Sequence, residues 1–421
     1  MPSITARWGA VDSKLPGNWS SSARVMTSAT ASSMTHLKSS NGWLVAARKL
    51  MMNSAGLRLS GKELIDFLRH PDQLRDLPLR RWDALLRVAR RANLIGRLAI
   101  GVRKLGLHTE LPEQVRKHIL SAEILTTHQR AAIEWETRHI AKAFTGFDEP
   151  VILLKGAAYA CSGLVAAEGR LFGDVDILVP RTAMNAAEAA LMLKGWTTGQ
   201  NDPYDERYYR QWMHEIPPMT HRGRGTVIDL HHNILPLTAH SSPNPQLLIE
   251  ASEPLVSSSF RVLCPIDMVI HSATHLFYES ELQNGLRDLF DLDALLVEFS
   301  ARSTEFWDEL AERAVRLGLA LPVSLALRNT LAILGTQSPQ AVRATLEKAV
   351  GKGGLSLSGL DAVYQRALMP DHPLSSDARA ALARFFIYLR GHYLRMPPSL
   401  LAVHLGRKAV IRLFRNTSRS A

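Results

Sequence analysis

The spacing of apolar positions changes character twice along the chain. From about residue 42 to 145 they recur at helical intervals, as in "LPLRRWDALLRVARRANLIGRLA". "SGKE" at 60–63 has capping-box spacing, with Ser60 as N-cap and Glu63 three residues later. "LPEQVRKHILSAEILTTHQRAAIEWETRHIAKAF" starts near a proline and predicts one long helix. Between about 146 and 261 the runs become short. "PVILLKG" predicts a strand entering a turn, "AAYACSGL" the start of a helix, "VDILVP" a second strand stopped by Pro180, and "TVIDLHHNI" a third, central strand. An alanine-rich helix ending near Gly195 separates the second and third strands. Beyond 262 the helical spacing returns in "PIDMVIHSATHLFYES" and "LRDLFDLDALLVEF" and continues to about 335. "GKGGLSLSGL" reads as a loop, and the last helical segments run from about 377 to 415. The expected organisation is a flexible tail (1–41), a helical N-terminal region (42–145), an α/β core (146–261) and a helical C-terminal region (262–421).

Composition narrows this picture only in places. At 421 residues and 46% apolar content the chain can bury a sizeable core. Its net charge of +11 suits an anionic partner without choosing among nucleic acid, nucleotide and surface. Two cysteines, Cys161 and Cys264, lie far apart without metal-ligand spacing, which fits a cytoplasmic, reducing setting. The longest apolar stretch, "LGLALPVSLALRNTLAIL", contains Pro322 and Arg328 and reads as buried helix, so no membrane span is expected. Residues 1–41 are rich in Ser, Thr and Ala and lack the apolar core of a secretory signal.

The chemistry concentrates in "LFGDVDILVP". Residues i and i+2 of a strand share a face, so Asp174 and Asp176 present two carboxylates together. They repel unless a divalent cation offsets the charge, and magnesium, or manganese, is commonly shared between carboxylates and substrate phosphates. Asp229 on the third strand would complete a trio of catalytic and metal-binding carboxylates. Nucleotidyl transfer needs this arrangement: two ions about 3.5–4 Å apart activate an attacking hydroxyl and stabilise the leaving pyrophosphate. Gly156 permits a tight turn whose amides approach a phosphate, and Lys155 and Arg170 offer it positive charge. Each also has a plainer reading, as a surface lysine before a turn and a solvated arginine. GxxxxGK[ST] is absent, so this is no Walker A loop.

Further candidates are weaker. His231 shares the face of Asp229 and is placed to touch phosphate or acceptor, or to support the carboxylates; His232 points the other way. His214 in "MHEIPPM" is a cleft-lining candidate on an edge or connecting segment, given Pro217 and Pro218. His271 and His275 lie four apart on one helix face, but "HSATH" lacks the glutamate of HExxH; they line the cleft or pack against the sheet. Arg287 and Asp291 have the spacing of a local ion pair, beside an apolar stripe of Leu286, Leu289, Leu292 and Leu296. Tyr204, Tyr208, Tyr209 and Trp212, interleaved with Arg207 and Arg210, could stack a base or form a lid, and the basic C-terminal pieces could meet an anionic substrate.

"VILLKGAAYA", "GRLFGDVDILVP" and "VIDLHHNI" together resemble the uncharacterised nucleotidyltransferase family of the polymerase-beta-like superfamily. "DMVIHSATHL" resembles its histidine-bearing helix and "GLRDLFDLDALL" its later Asp-Leu helix, so the resemblance covers about residues 120–300. It implies an α/β (α+β) fold, a minimal mixed sheet with extensive helical additions. It also implies metal carboxylates at Asp174, Asp176 and Asp229 and a nucleotide turn at Gly156. Many superfamily members place a serine after this glycine; Ala157 stands here instead, matching a lysine-glycine variant. The implied reaction moves a nucleoside monophosphate from an NTP to a hydroxyl of a small molecule, peptide or RNA. The pattern also resembles bacterial toxins that modify RNA ends, and relatives that serve small-molecule, polysaccharide or peptide tailoring. The rival from another class is a noncatalytic nucleotide-binding or interaction protein on a retained transferase scaffold.

Overall fold

The structure is a computed structural model that describes residues 58–199, 203–351 and 356–395. The expected tail (1–41) and the basic segment "LGRKAVIRLFRN" lie outside the described residues. The expected mixed α/β architecture is present: a seven-stranded mixed sheet flanked on both sides in sequence by helices.

Among the described residues, four α-helices precede the sheet: α1 (Gly61–Arg69), α2 (Leu79–Arg91), α3 (Ile95–Lys104) and α4 (Glu113–Ala143). The capping box forms as expected, with the Ser60 hydroxyl accepting from the Glu63 amide and the Glu63 carboxylate accepting from the Ser60 amide. Helices α2 and α3 are separated at Asn93, which takes a left-handed φ of 55°. The long helix α4 has 31 residues. It grips the sheet through buried Glu136, which accepts from the Arg224 guanidinium at 2.7 Å and from the Thr226 hydroxyl at 3.0 Å.

The central region contributes β1 (Ile152–Leu153), α5 (Lys155–Cys161), β2 (Asp174–Leu178), α6 (Met184–Leu193), β3 (Trp196–Thr198), α7 (Pro203–Trp212), β4 (Met219–His221), β5 (Val227–His231), α8 (Pro245–Glu250), β6 (Glu253–Pro254) and β7 (Arg261–Val262). The strand order is β3-β4-β5-β2-β1-β7-β6. Strands β2 and β5 run parallel at the centre, and β1 lies antiparallel on the other side of β2. Val175, Ile177, Ile228 and Leu230 are buried on one face of the central pair. By strand alternation the opposite face carries the aspartates.

The tyrosine-rich segment is helical: it forms α7. Tyr208 is buried, its ring against Tyr209 and Trp212, and Arg210 is bound by Glu188 and Glu206. Tyr208 and Arg210 are therefore engaged in packing rather than offered to a base.

After the sheet come α9 (Pro265–Tyr278), α10 (Gly285–Ser300), α11 (Phe306–Arg316), α12 (Ala320–Asn329), α13 (Gln340–Val350), α14 (Leu357–Ala367) and α15 (Ala378–Arg395). The apolar stretch around Pro322 is buried helix, as its interruptions predict, and among the described residues no helix is long and apolar enough to cross a membrane. Of the segment expected to be a loop at 351–360, residues 352–355 lie outside the described residues, and the end of it is helical. Helix α14 begins at Leu357, because the Ser356 hydroxyl accepts from the Gly359 amide and caps it. Of the basic C-terminal residues, Arg390 donates to the Phe277 carbonyl and the Tyr364 hydroxyl, and Arg395 pairs with Glu279. These arginines are joined to the helical layer.

Candidate functional site

The turn after β1 differs from its sequence reading in one respect. The residue with left-handed backbone is Lys155, at φ 44°, and not Gly156. This costs an L-residue about 1 kcal/mol and is held by the surrounding structure. The Leu154 amide donates to the Asp176 carbonyl at 2.9 Å, and the Lys155 ammonium donates to Asp176 Oδ1 at 2.6 Å. Gly156 is needed for space rather than for turning: a Cβ there would stand 3.0 Å from Arg170 Nε and 3.1 Å from the Phe172 ring.

Strand register brings the acidic residues together. Asp176 lies directly opposite Asp229, and Asp174 opposite Val227. His231, two positions beyond Asp229, has its Nε2 3.1 Å from Asp176 Oδ1. Burial alone would raise the Asp176 carboxyl; Lys155 and His231 outweigh it and hold it well below the usual carboxylate range. In the other two aspartates such compensation is outweighed. Enclosure in the cleft and then the charge of Asp176 raise Asp174, which stands at the exposed start of β2. Burial, Asp176 and Glu215 push Asp229 up to about 7, and its Oδ1 is buried without a hydrogen-bond partner. An orphaned oxygen and two raised carboxyls beside a third mark a place short of positive charge. Asp174, Asp176 and Asp229 are hard oxygen donors of the kind magnesium takes, so the donor set fits that ion.

A cavity of about 480 Å³ opens beside these strands, within the range of small-ligand sites. Lys155, Gly156, Arg170, Asp174 and Asp176 line one part of it; His275 and Glu279 of α9's C-terminal end, and Arg287, Asp288 and Asp291 of α10, line the rest. Arg170 is buried and ion-paired to Asp291, with Asp288 4.0 Å away. Arg97 of α3 also reaches Asp291, at 2.6 Å. The expected Arg287–Asp291 pair is replaced: Arg287 binds its neighbour Asp288 at 2.6 Å, because Asp291 is buried against the two arginines from other elements. A two-glycine contact permits this. A Cβ on Gly96 would meet the Gly169 carbonyl oxygen at 2.3 Å, so α3 lies directly on the turn that carries Arg170.

The remaining histidines divide. His275 lines the cavity, its Nε2 3.9 Å from Glu279, and burial followed by Lys155 lowers it to about 4. His271 is buried and held neutral, mainly by burial, its pKa well below the ordinary value. His214 sits beside the sheet instead of in this cavity. The segment 214–216 runs along β5 beyond β4: Glu215 bridges to His231, the Ile216 amide donates to the Leu230 carbonyl at 3.1 Å, and the His232 amide to the His214 carbonyl at 2.8 Å. Among the described residues, His214, Glu215 and His231 are the group whose ligand atoms all lie within 4.8 Å of one another; the three aspartates do not gather that closely. Glu215 was not singled out from the sequence. Its one available signal was its place next to His214 in "MHEIPPM", where the prolines suggest a mere connection.

No curated protein and no solved structure matches the chain. One family model does, described as uncharacterised nucleotidyltransferase, over residues 78–335. That span includes α3, the whole sheet, both charged walls of the cavity and the helices α9 to α12. The chain belongs to the uncharacterised nucleotidyltransferase family, part of the polymerase-beta-like superfamily.

Proposed function

We propose that this nucleotidyltransferase moves a nucleoside monophosphate from an NTP to a hydroxyl acceptor, with Asp174, Asp176 and Asp229 holding magnesium, or manganese. The observation that carries the reading is Asp229: buried at Oδ1, unpartnered, and in register with Asp176 on the adjacent parallel strand. A bound divalent ion supplies the Lewis acidity that neutralises phosphoryl oxygens and the leaving pyrophosphate. The chain's own groups account for the rest. Asp229, opposite Asp176 on the neighbouring strand, would accept the proton of the acceptor hydroxyl. Lys155 and Arg170 turn positive charge toward the cavity and orient the triphosphate. Lys155 also keeps Asp176 ionised, so this carboxylate needs no deprotonation to receive a cation.

The test is an acceptor screen with α-labelled NTPs and magnesium, run with the wild type and Asp176→Asn in parallel. RNA, peptide and small-molecule hydroxyl pools form its arms. Label retained on one pool by the wild type alone supports the reading and names the acceptor class. RNA labelling would make the protein an RNA-end-modifying enzyme. Tight NTP binding with no label transferred to any pool would favour a noncatalytic binding protein, and equal transfer by the variant would sink the metal-carboxylate mechanism.

A further inference from the structure

We infer that His214, Glu215 and His231 form a second metal site beside the aspartates, suited to zinc or another borderline divalent ion rather than magnesium. Two imidazoles and one carboxylate are a donor set that such ions prefer, whereas magnesium takes oxygen. The spacing is near what coordination requires. Donor atoms around a tetrahedral zinc lie about 3.3 Å apart, given metal–ligand bonds of about 2.0–2.1 Å. His231 Nδ1 already lies 3.4 Å from Glu215 Oε2, and His214 Nε2 lies 3.9 Å from the same oxygen.

Three further observations point to a ligand. The side chain of His231 is only 3% exposed, yet its Nδ1 has no hydrogen-bond partner. Its Nε2 is engaged by Asp176 at 3.1 Å. Nδ1 faces the Glu215 carboxylate across 3.4 Å, a place that a proton or a cation fills, and a metal ion bound there would displace the proton. This is the carboxylate–histidine–metal relay in which an outer carboxylate fixes the tautomer of a ligating imidazole. Finally, the backbone holds the donors in place: Glu215 bridges to His231, and the His214 carbonyl accepts from the amides of His232 and Asn233. A metal here would pin the 214–216 segment to the end of β5. Through His231 it would also set the orientation of Asp176, so the two sites would share one carboxylate in different roles.

The inference stands apart from the transfer reaction, and its test reads metal directly. The full chain is stripped with a chelator and titrated with cobalt(II), whose visible absorption reports nitrogen and oxygen coordination. One equivalent should bind, zinc should displace it, and millimolar magnesium should not. Glu215→Gln and His214→Gln should each weaken binding about 10- to 100-fold, while Asp174→Asn should retain it. X-ray absorption on the wild-type protein with one equivalent of zinc supplies a readout that needs no variant, and should show outer-shell scattering from two imidazoles. The inference is overturned if no stoichiometric cobalt band forms, if the zinc shell lacks imidazole, or if Asp174→Asn abolishes the band as fully as Glu215→Gln. Cobalt binding without nucleotidyl transfer would leave this site standing and count only against the proposed reaction; transfer without cobalt binding would do the reverse.

Discussion

Two charged clusters reach the same cavity, the sheet's through Lys155, Asp174 and Asp176, and they differ in how their charges are met. On α10, the carboxylates of Asp288 and Asp291 meet the guanidiniums of Arg97, Arg170 and Arg287. Asp293 and Glu168 add negative charge around Arg97, and burial lowers Arg97 and Arg170 to about 10. On the sheet, Asp174, Asp176, Asp229 and Glu215 crowd around Lys155 and His231. Negative charge is in excess there, and Asp174 and Asp229 are raised. The magnesium–triphosphate complex proposed above would bring a cation to the acidic strands and an anion to the arginines. The arginines meet their counter-charges within the fold, whereas Asp229 Oδ1 has no hydrogen-bond partner there.

That contrast can be broken most severely at the chemistry. Replacing Asp176 or Asp229 with Asn should lower transfer by roughly 10³-fold or more in kcat, about 4 kcal/mol of barrier, measured with a labelled NTP and magnesium. The next effect is on stability, and its sign differs between the clusters. Asp291→Asn leaves two buried guanidiniums without their shared carboxylate and should cost about 3–5 kcal/mol in urea unfolding. Asp229→Asn removes a carboxyl that its surroundings disfavour, and should leave the metal-free protein at least as stable as the wild type. If both variants lose stability equally, the acidic cluster is structural and the comparison fails. A smaller effect is expected where the clusters touch. Gly156→Ala pushes on Arg170 and Phe172 and should cost about 1 kcal/mol, together with weaker NTP binding in calorimetry.

The smallest expected effect concerns acid. His275 is lowered to about 4, first by burial and then by Lys155, so the unfolded chain binds its proton more readily than the folded one. Its contribution to stability is complete above the ordinary histidine value near 6.5 and is lost as pH falls through about 4. Glu279, opposed by burial but held at about 2 by Arg395, acts in the same direction below about 4.5. The urea midpoint should therefore fall between pH 7 and 4, and His275→Gln should flatten that slope. A slope unchanged by the substitution would show that His275 is not held neutral.

The sequence displayed the acidic half of this comparison far better than the basic half. Asp174, Asp176 and Asp229 were visible because alternation in two short strands is a local signal, and the surrounding motifs carried a family likeness. That β2 and β5 are neighbours puts Asp176 opposite Asp229, while among the described residues the three carboxylates do not gather within 4.8 Å. Arg170 and Asp291 were each noticed, but their partnership spans 121 positions and depends on the Gly96–Gly169 approach. Helical spacing instead suggested Arg287 for Asp291, and tertiary burial overrode it. Glu215 was missed for the same reason: its meaning comes from the bridge to His231, and its proline-flanked segment carries no periodic signal. The left-handed turn was placed one residue late, because glycine is the usual occupant and here Lys155 takes that backbone to reach Asp176.

The central claim is that the acidic strands form a cation-dependent nucleotide site. The most direct measurement is the affinity of a non-hydrolysable NTP analogue with magnesium and with chelator, in the wild type and in Asp229→Asn. The account predicts binding that requires magnesium in the wild type and is lost in the variant. Equal affinity in chelator, or magnesium-dependent binding that survives the loss of Asp229, would contradict it.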